Sequence, residues 1–198
     1  MNRRDVLKNI GMATGFFVAT PSIMSLLQSC TSEIKTWTPE FLSIDQGIFI
    51  KNLVDIILPK TDLPAATELN VPEFIDKYFN AVLDQEDQTI VKNGFDTIWP
   101  LIKTSPETEI NNIKQEDYMA LLDSHMLLKE DIDEEREANL ESLEYTKSEF
   151  FNMLKNLTIT AYLTTKKIGE NVLVYDPVPA AYYCGDLQEL TGGKSYSL

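Results

Sequence analysis

His125 is the sole histidine of this sequence, and it lies at helical spacing from Leu121, Leu122 and Leu128. The side chain best suited to moving protons near neutral pH therefore sits on an apolar face, which predicts a core or boundary residue rather than a base or a ligand. Zinc needs three or four His, Cys or carboxylate ligands at coordinating spacing, and no such cluster can be drawn. There is no Cys-x-x-Cys-His for covalent haem, no Gly-x-Gly-x-x-Gly for a dinucleotide and no Gly-x-Ser-x-Gly nucleophile elbow. Carboxylates abound, but among 31 acidic residues a sequence pair means little unless a cleft brings the two together. Asp55, flanked by Val54, Ile56 and Ile57, is the one worth following. Its plainest reading is a residue on the wet side of a helix or a cap for the turn beyond. No cofactor or metal site is expected within this chain.

The chemistry the sequence does carry is that of an address. Asn2-Arg3-Arg4-Asp5-Val6-Leu7-Lys8 is followed by an uncharged stretch from Ile10 to Ser29 and then Cys30. About twenty uncharged residues could span a bilayer on length alone. Gly11, Thr14, Gly15, Thr20, Pro21, Ser22 and Ser25 make the stretch only weakly apolar, however, as in cleaved export signals. Arg3, Arg4 and Lys8 resemble a twin-arginine export signature. Leu27-Gln28-Ser29-Cys30 resembles the box read by bacterial lipoprotein processing, with Gln28 a departure from its usual small or apolar residue. With Cys184 the only other cysteine, one acylated cysteine plus a free thiol is as plausible as a single bridge. Acylation at Cys30 would hold the protein to a membrane without a basic patch, at roughly 0.8 kcal/mol per buried methylene. The expected organisation is a signal peptide over 1–30, a tether over 31–38 and a domain over 39–198, exported to the cell envelope or periplasm and lipid-anchored there.

Charge narrows the partners. The whole chain sums to −14, and Arg3, Arg4 and Lys8 against Asp5 give the leader a net of +2, leaving −16 on the remainder. Binding to phosphate backbones needs clusters of Lys and Arg, and the remainder has none, so no nucleic-acid partner is expected. With 43% hydrophobic and 24% charged residues, the chain has the composition of a folded globular domain.

The elements that would position any site read as helices. Thr38-Pro39-Glu40 is a helix start by composition, with Phe41 to Leu58 as the helix and Phe41, Ile44, Ile48, Leu53, Ile56 and Ile57 as its apolar set. Pro59 stops it. Pro59 to Ala66 is turn chemistry, and Val71-Pro72-Glu73 restarts a helix, so two helices meet at a proline-stiffened elbow. Further helices are expected over Gln88–Lys103, Lys114–Lys129 and Tyr145–Lys167, the last with Phe150, Leu154, Leu157 and Ala161 as a stripe. The acidic run Glu130–Glu144 reads as a solvated loop or exposed helix. Beyond Gly169, Val172 to Tyr175 is β-prone and Asp176-Pro177-Val178-Pro179 cannot be helical. The expected fold is all-α, about five helices in a single domain with an irregular, partly extended C-terminal segment.

The run Leu53-Val54-Asp55-Ile56-Ile57-Leu58-Pro59-Lys60-Thr61-Asp62-Leu63-Pro64-Ala65-Ala66, followed by Val71-Pro72-Glu73-Phe74-Ile75-Asp76, resembles the signature of the gluconate 2-dehydrogenase subunit 3 family. The helix from Phe150 to Tyr162 and the tail Tyr175-Asp176-Pro177-Val178-Pro179-Ala180, with Tyr182 and Gly185, are similar to the same family's C-terminal half. Ala65 and Ala180 stand where the family pattern has glycine. The resemblance implies a non-catalytic small subunit that binds a large flavin-dependent dehydrogenase of the glucose-methanol-choline type and carries the export signal for it. FAD, and haem where a cytochrome c takes the electrons, would then belong to partner subunits. On this reading Pro59, Asp62, Pro64, Pro177, Pro179 and Tyr182 form the docking face. Two other classes compete: a stand-alone envelope lipoprotein acting as scaffold or ligand-binding module, and an enzyme using a carboxylate pair in a helical cleft.

Overall fold

Backbone N–H groups decide where the first helix begins. The computed structural model describes residues 37–103, 109–127, 131–176 and 184–197, and the helical unit begins at Thr38. The candidate export residues Arg3, Arg4 and Lys8, the candidate lipid site Cys30, and Pro177, Pro179 and Tyr182 lie outside the described residues. Despite the favourable composition of Thr38-Pro39-Glu40, helix α1 runs Ile44–Ile57 and is capped by Ser43. Ser43 and Gln46 form a reciprocal capping box, with Ser43 N–H donating to Gln46 Oε1 at 2.9 Å and Gln46 N–H to Ser43 Oγ at 3.2 Å. Such a cap contributes about 1 kcal/mol. The residues before it are committed elsewhere: the N–H groups of Glu40, Phe41 and Leu42 donate to the Asp76 carboxylate at 2.7, 3.0 and 2.9 Å.

Helix α2, Val71–Ala81, carries Asp76 and has Pro72 in its first turn, where a missing N–H costs nothing. Helix α3, Gln85–Ile102, starts earlier than its apolar periodicity suggests because Asp84 caps it, accepting from the N–H groups of Glu86 and Asp87. Helix α4 is Gln115–His125, and α5 is a short turn of helix at Glu134–Ala138. Helix α6, Lys147–Leu163, has Thr146 and Glu149 as a second capping box. It stops short of Lys167 because the Thr164 and Thr165 hydroxyls donate to the carbonyls of Ala161 and Tyr162, a local alternative to helix continuation. Helix α7, Lys166–Asn171, then starts afresh.

Helix α6 packs against α1, α2, α3, α4 and α7, and α1 packs in turn against α2 and α4. Phe49, Phe79, Phe95, Phe150, Phe151 and Tyr118 are fully buried between them, each stabilising the fold by about 1.5–3 kcal/mol of apolar burial. The closest approach is at Gly94 of α3, where a Cβ would stand 2.3 Å from the Phe150 ring. The fold is all-α: among the described residues there are eight α-helices and no strand, and α1, α2, α3, α4 and α6 have eleven residues or more.

Beyond Asn171 the described part of the C-terminal segment is irregular apart from one short helix. Its β-prone stretch makes one isolated parallel bridge, Val174 with Tyr196, through Val174 N–H to Ser195 O at 3.0 Å and Ser197 N–H to Val174 O at 2.8 Å. Between these, helix α8, Leu187–Thr191, is closed by Gly192 and Gly193 at φ of 64° and 81°, a left-handed exit that glycine adopts freely. Cys184 is an exposed free thiol.

Candidate functional site

The elbow between α1 and α2 is built from hydrogen bonds that its own prolines cannot make. Leu58 ends α1, and Ala66 N–H reaches back to the Leu58 carbonyl at 3.2 Å, closing a loop around Pro59–Ala65. Asp55, on the last turn of α1, accepts the Thr67 N–H at 2.8 Å and the Thr67 hydroxyl at 2.6 Å. Of the readings open to it in the sequence, the structure selects the cap for the elbow. Glu68 accepts Lys60 Nζ at 2.6 Å and Ala65 N–H at 3.2 Å; the Lys60 contact, chiefly, holds its carboxyl below the usual range. From across the core the Tyr162 hydroxyl donates to the Pro64 carbonyl at 2.8 Å, and burial, with the nearby Glu68 charge, pushes that phenol up.

This scaffold turns Ala65 and Ala66 inward while Pro59, Lys60, Thr61, Asp62 and Leu63 face solvent and Pro64 is half-buried. Ala65 is not at positive φ; that conformation falls on Asn70, at φ 56°, the only non-glycine residue so placed among those described. The turn therefore has no need of the family's glycine at position 65. Asp55→Ala is expected to cost about 1–3 kcal/mol by stripping both Thr67 bonds from a half-buried site, and Asp55→Asn less. Thermal unfolding of the two variants beside the parent checks the order.

A second feature lies alongside. Helices α2 and α6 enclose a groove of about 590 Å³ lined by Phe74, Tyr78, Met153, Leu157, Asn156, Thr160, Asn152 and Glu149. Phe74 and Tyr78 stack across one helical turn, with ring centres 6.4 Å apart and planes 18° from parallel. The Tyr145 hydroxyl is pushed up by burial first and then by the charges of Asp87 and Glu149. In the first turn of α2, Glu73 keeps a buried Oε2 with no hydrogen-bond partner, a group whose burial works against stability.

The acidic stretch is neither loose nor a long helix. Arg136 of α5 gathers it: its guanidinium pairs with both oxygens of Glu149 and donates to the carbonyls of Asn139, Ser142 and Glu144. Lys147 pairs with Glu135, and the Thr146 hydroxyl donates to Asp133 at 2.6 Å. Bonding to Arg136 holds the Glu149 carboxyl below the usual range, and bonding to Lys147 does the same for Glu135. For Asp133, burial pushes upward, but bonds from Thr146 and from the N–H groups of Arg136 and Glu135 outweigh it and the net shift is downward. Groups with folded values below their unfolded ones stabilise the fold fully above the ordinary values of 4.5 for Glu and 3.8 for Asp. That contribution is lost as pH falls through the lower, folded values. Residues 131–149 are thus expected to lose hydrogen-exchange protection below about pH 4, before the α1–α6 core does, as read by mass spectrometry with intrinsic rates corrected.

His125 is half-buried and stacks nearly parallel on Phe151, centres 6.0 Å apart, at the edge of a cavity of about 440 Å³ that also touches Leu121, Ser124 and Asp117. This is the boundary placement its neighbours implied. Among the described residues no three His, Cys, Asp or Glu side chains come together as a metal site. No helix among them is long and apolar enough to cross a membrane.

Fold and site together define a class: among the described residues, an all-helical domain with a hydrogen-bonded elbow between α1 and α2 and an open groove between α2 and α6. The chain belongs to the gluconate 2-dehydrogenase subunit 3 family, which its residues 44–180 match. The family is a subunit of a dehydrogenase complex, and membership implies association with the other subunits of such a complex. Comparisons with curated proteins and with solved structures find no match.

Proposed function

We propose that this chain is the non-catalytic small subunit of a flavin-dependent dehydrogenase complex of the cell envelope, binding the large catalytic subunit and bringing it an export signal. The family match over residues 44–180 carries the reading. It is supported by an elbow whose conformation is set by Asp55, Glu68 and Tyr162 while Pro59 and Asp62 stay exposed. A rigid exposed turn loses little conformational entropy when a partner covers it. In this scheme Pro59, Asp62, Pro64, Pro177, Pro179 and Tyr182 meet the large subunit. Arg3, Arg4 and Lys8 address the pair to twin-arginine export, a route for folded proteins, and Cys30 carries the lipid. FAD, and haem where a cytochrome c is present, reside in the partners.

Affinity purification of the tagged, membrane-extracted protein, with an absorbance scan and intact mass, tests the scheme. The expected result is a flavin spectrum, a copurifying larger subunit and a diacyl- or triacyl-modified Cys30. A colourless, solitary protein would overturn the complex, and an unmodified Cys30 in a retained leader would overturn the anchor.

A further inference from the structure

The chain enters the helical unit beside a surface of mixed aromatic and basic character. Lys92, Asp96 and Trp99 of α3 and Lys103, which closes it, follow one another at intervals of four, three and four residues, so they form a single stripe along the helix. That stripe faces the segment that opens α1. At one end Lys92 Nζ stands 5.1 Å from the centre of the Phe41 ring. In the middle, Asp96 and Trp99 line a cavity of about 360 Å³ with Ser43, Ile44, Asp45 and Gln46. At the other end Lys103 Nζ is 2.5 Å from Asp45 Oδ2 and 5.5 Å from the centre of the Trp99 ring. Trp99 meets the buried Phe49 ring edge-on, centres 6.3 Å apart, but is itself only half-buried, and Ile44 is 69% exposed.

The path of the chain says what covers this surface. Asp76 clasps the N–H groups of residues 40–42, which fixes the entry of the chain next to the stripe. Thr38, where the helical unit begins, is eight residues after Cys30, at most about 28 Å of fully extended chain. A lipid on Cys30 therefore keeps the bilayer within that distance of Thr38. Charge agrees with contact. The chain beyond the leader carries −16, which opposes approach to headgroups, but here Lys92 and Lys103 balance Asp45 and Asp96, while Glu40 accepts from Asn80. A half-buried tryptophan, lysines lying along aromatic rings and an exposed isoleucine are side chains suited to the depth of headgroups. The elbow lies beyond the opposite end of α1, about 20 Å away at 1.5 Å per residue, so lipid at one end leaves the other open to a large subunit.

We infer that the surface formed by Phe41, Ile44, Trp99, Lys92 and Lys103 lies on the phospholipid headgroups of the membrane that holds Cys30. This rests on the lipid anchor proposed above and gives it an orientation. The test uses the acylated full chain, purified from membranes with its bound partners and reconstituted into phosphatidylcholine vesicles that include a lipid with a nitroxide just below the headgroup. An environment-sensitive fluorophore is attached at Ile44→Cys or, beyond the far end of α1, at Asp62→Cys, each combined with Cys184→Ser, and intact mass reports the acylation of Cys30. The expected result is emission from position 44 that is blue-shifted and quenched about twofold or more by the nitroxide lipid, as for a side chain seated at the headgroup boundary, with no quenching at position 62. An acylated protein whose label at 44 is unquenched overturns the orientation and leaves the anchor standing; if that emission is nonetheless blue-shifted, protein and not lipid covers the surface. Equal quenching at both positions overturns it as well. If Cys30 carries no lipid, the anchor and the orientation fall together.

Discussion

Asp76→Ala is expected to lower the unfolding free energy by about 3–5 kcal/mol, the scale of stripping a buried acceptor from several donors. The side chain is fully buried and accepts the N–H groups of Glu40, Phe41 and Leu42. Truncation leaves the Leu42 N–H buried without a partner, while those of Glu40 and Phe41, nearer the surface, can find water in part. Asp76→Asn keeps one acceptor oxygen and should fall between. Urea unfolding followed by far-ultraviolet circular dichroism reads both. An unchanged slope with a shifted midpoint would show that stability alone has moved. A loss under about 1 kcal/mol for the alanine variant would mean that residues 39–43 hold their path without Asp76.

The second large effect comes from adding one carbon. Gly94→Ala places a Cβ 2.3 and 2.4 Å from Cδ2 and Cε2 of Phe150. That ring is fully buried and bounded by Phe95, at 5.0 Å between centres, and by Tyr145 at 5.9 Å, so it cannot swing aside without displacing them. Alanine gains about 1 kcal/mol over glycine in a helix interior, but overpacking costs about 1–3 kcal/mol and more where nothing yields. The expected net loss is about 2 kcal/mol, the sign opposite to that of an exposed helical glycine. Gly94→Ala combined with Phe150→Leu should lose less than the two single losses added together, because the smaller side chain frees the space the methyl needs. Thermal unfolding of the four proteins gives that coupling directly.

How much of the fold and site is legible in the sequence depends on how far each cause lies along the chain. The elbow is legible because its signals are local: Pro59 and Pro64 break the helices, and Asp55 is only twelve residues from Thr67, which it holds. The stripe on α6 is legible for Phe150, Leu154 and Ala161, which are buried. Leu157, which falls on that stripe by spacing, is half-buried and lines the groove instead. On α1 the spacing misleads about the inward face. Ile44 is 69% exposed while Phe49, Ile50 and Val54 are buried, because apolar residues on nearly every side give no single phase to follow.

The start of α1 is hidden for a different reason. Ser43-x-x-Gln46 is a recognisable cap, but Asp76, which diverts the chain before it, stands 34–36 residues away. The same distance effect conceals the organisation of the acidic run. Nothing near Arg136 says that its partner will be Glu149, thirteen residues on. The groove leaves little trace because its walls come from helices separated by some seventy residues.

Asp76 also settles how the domain would bear a load. A pull on the chain at Pro39 does not reach the end of α1 first, where a helix can be unzipped one bond at a time. It reaches the clasp of Glu40, Phe41 and Leu42 on a carboxylate rooted in the middle of α2. Three neighbouring bonds on one side chain share the tension and must yield nearly together, so traction is passed to the centre of the helical core, as a strap is stitched to the body of a harness and not to its hem.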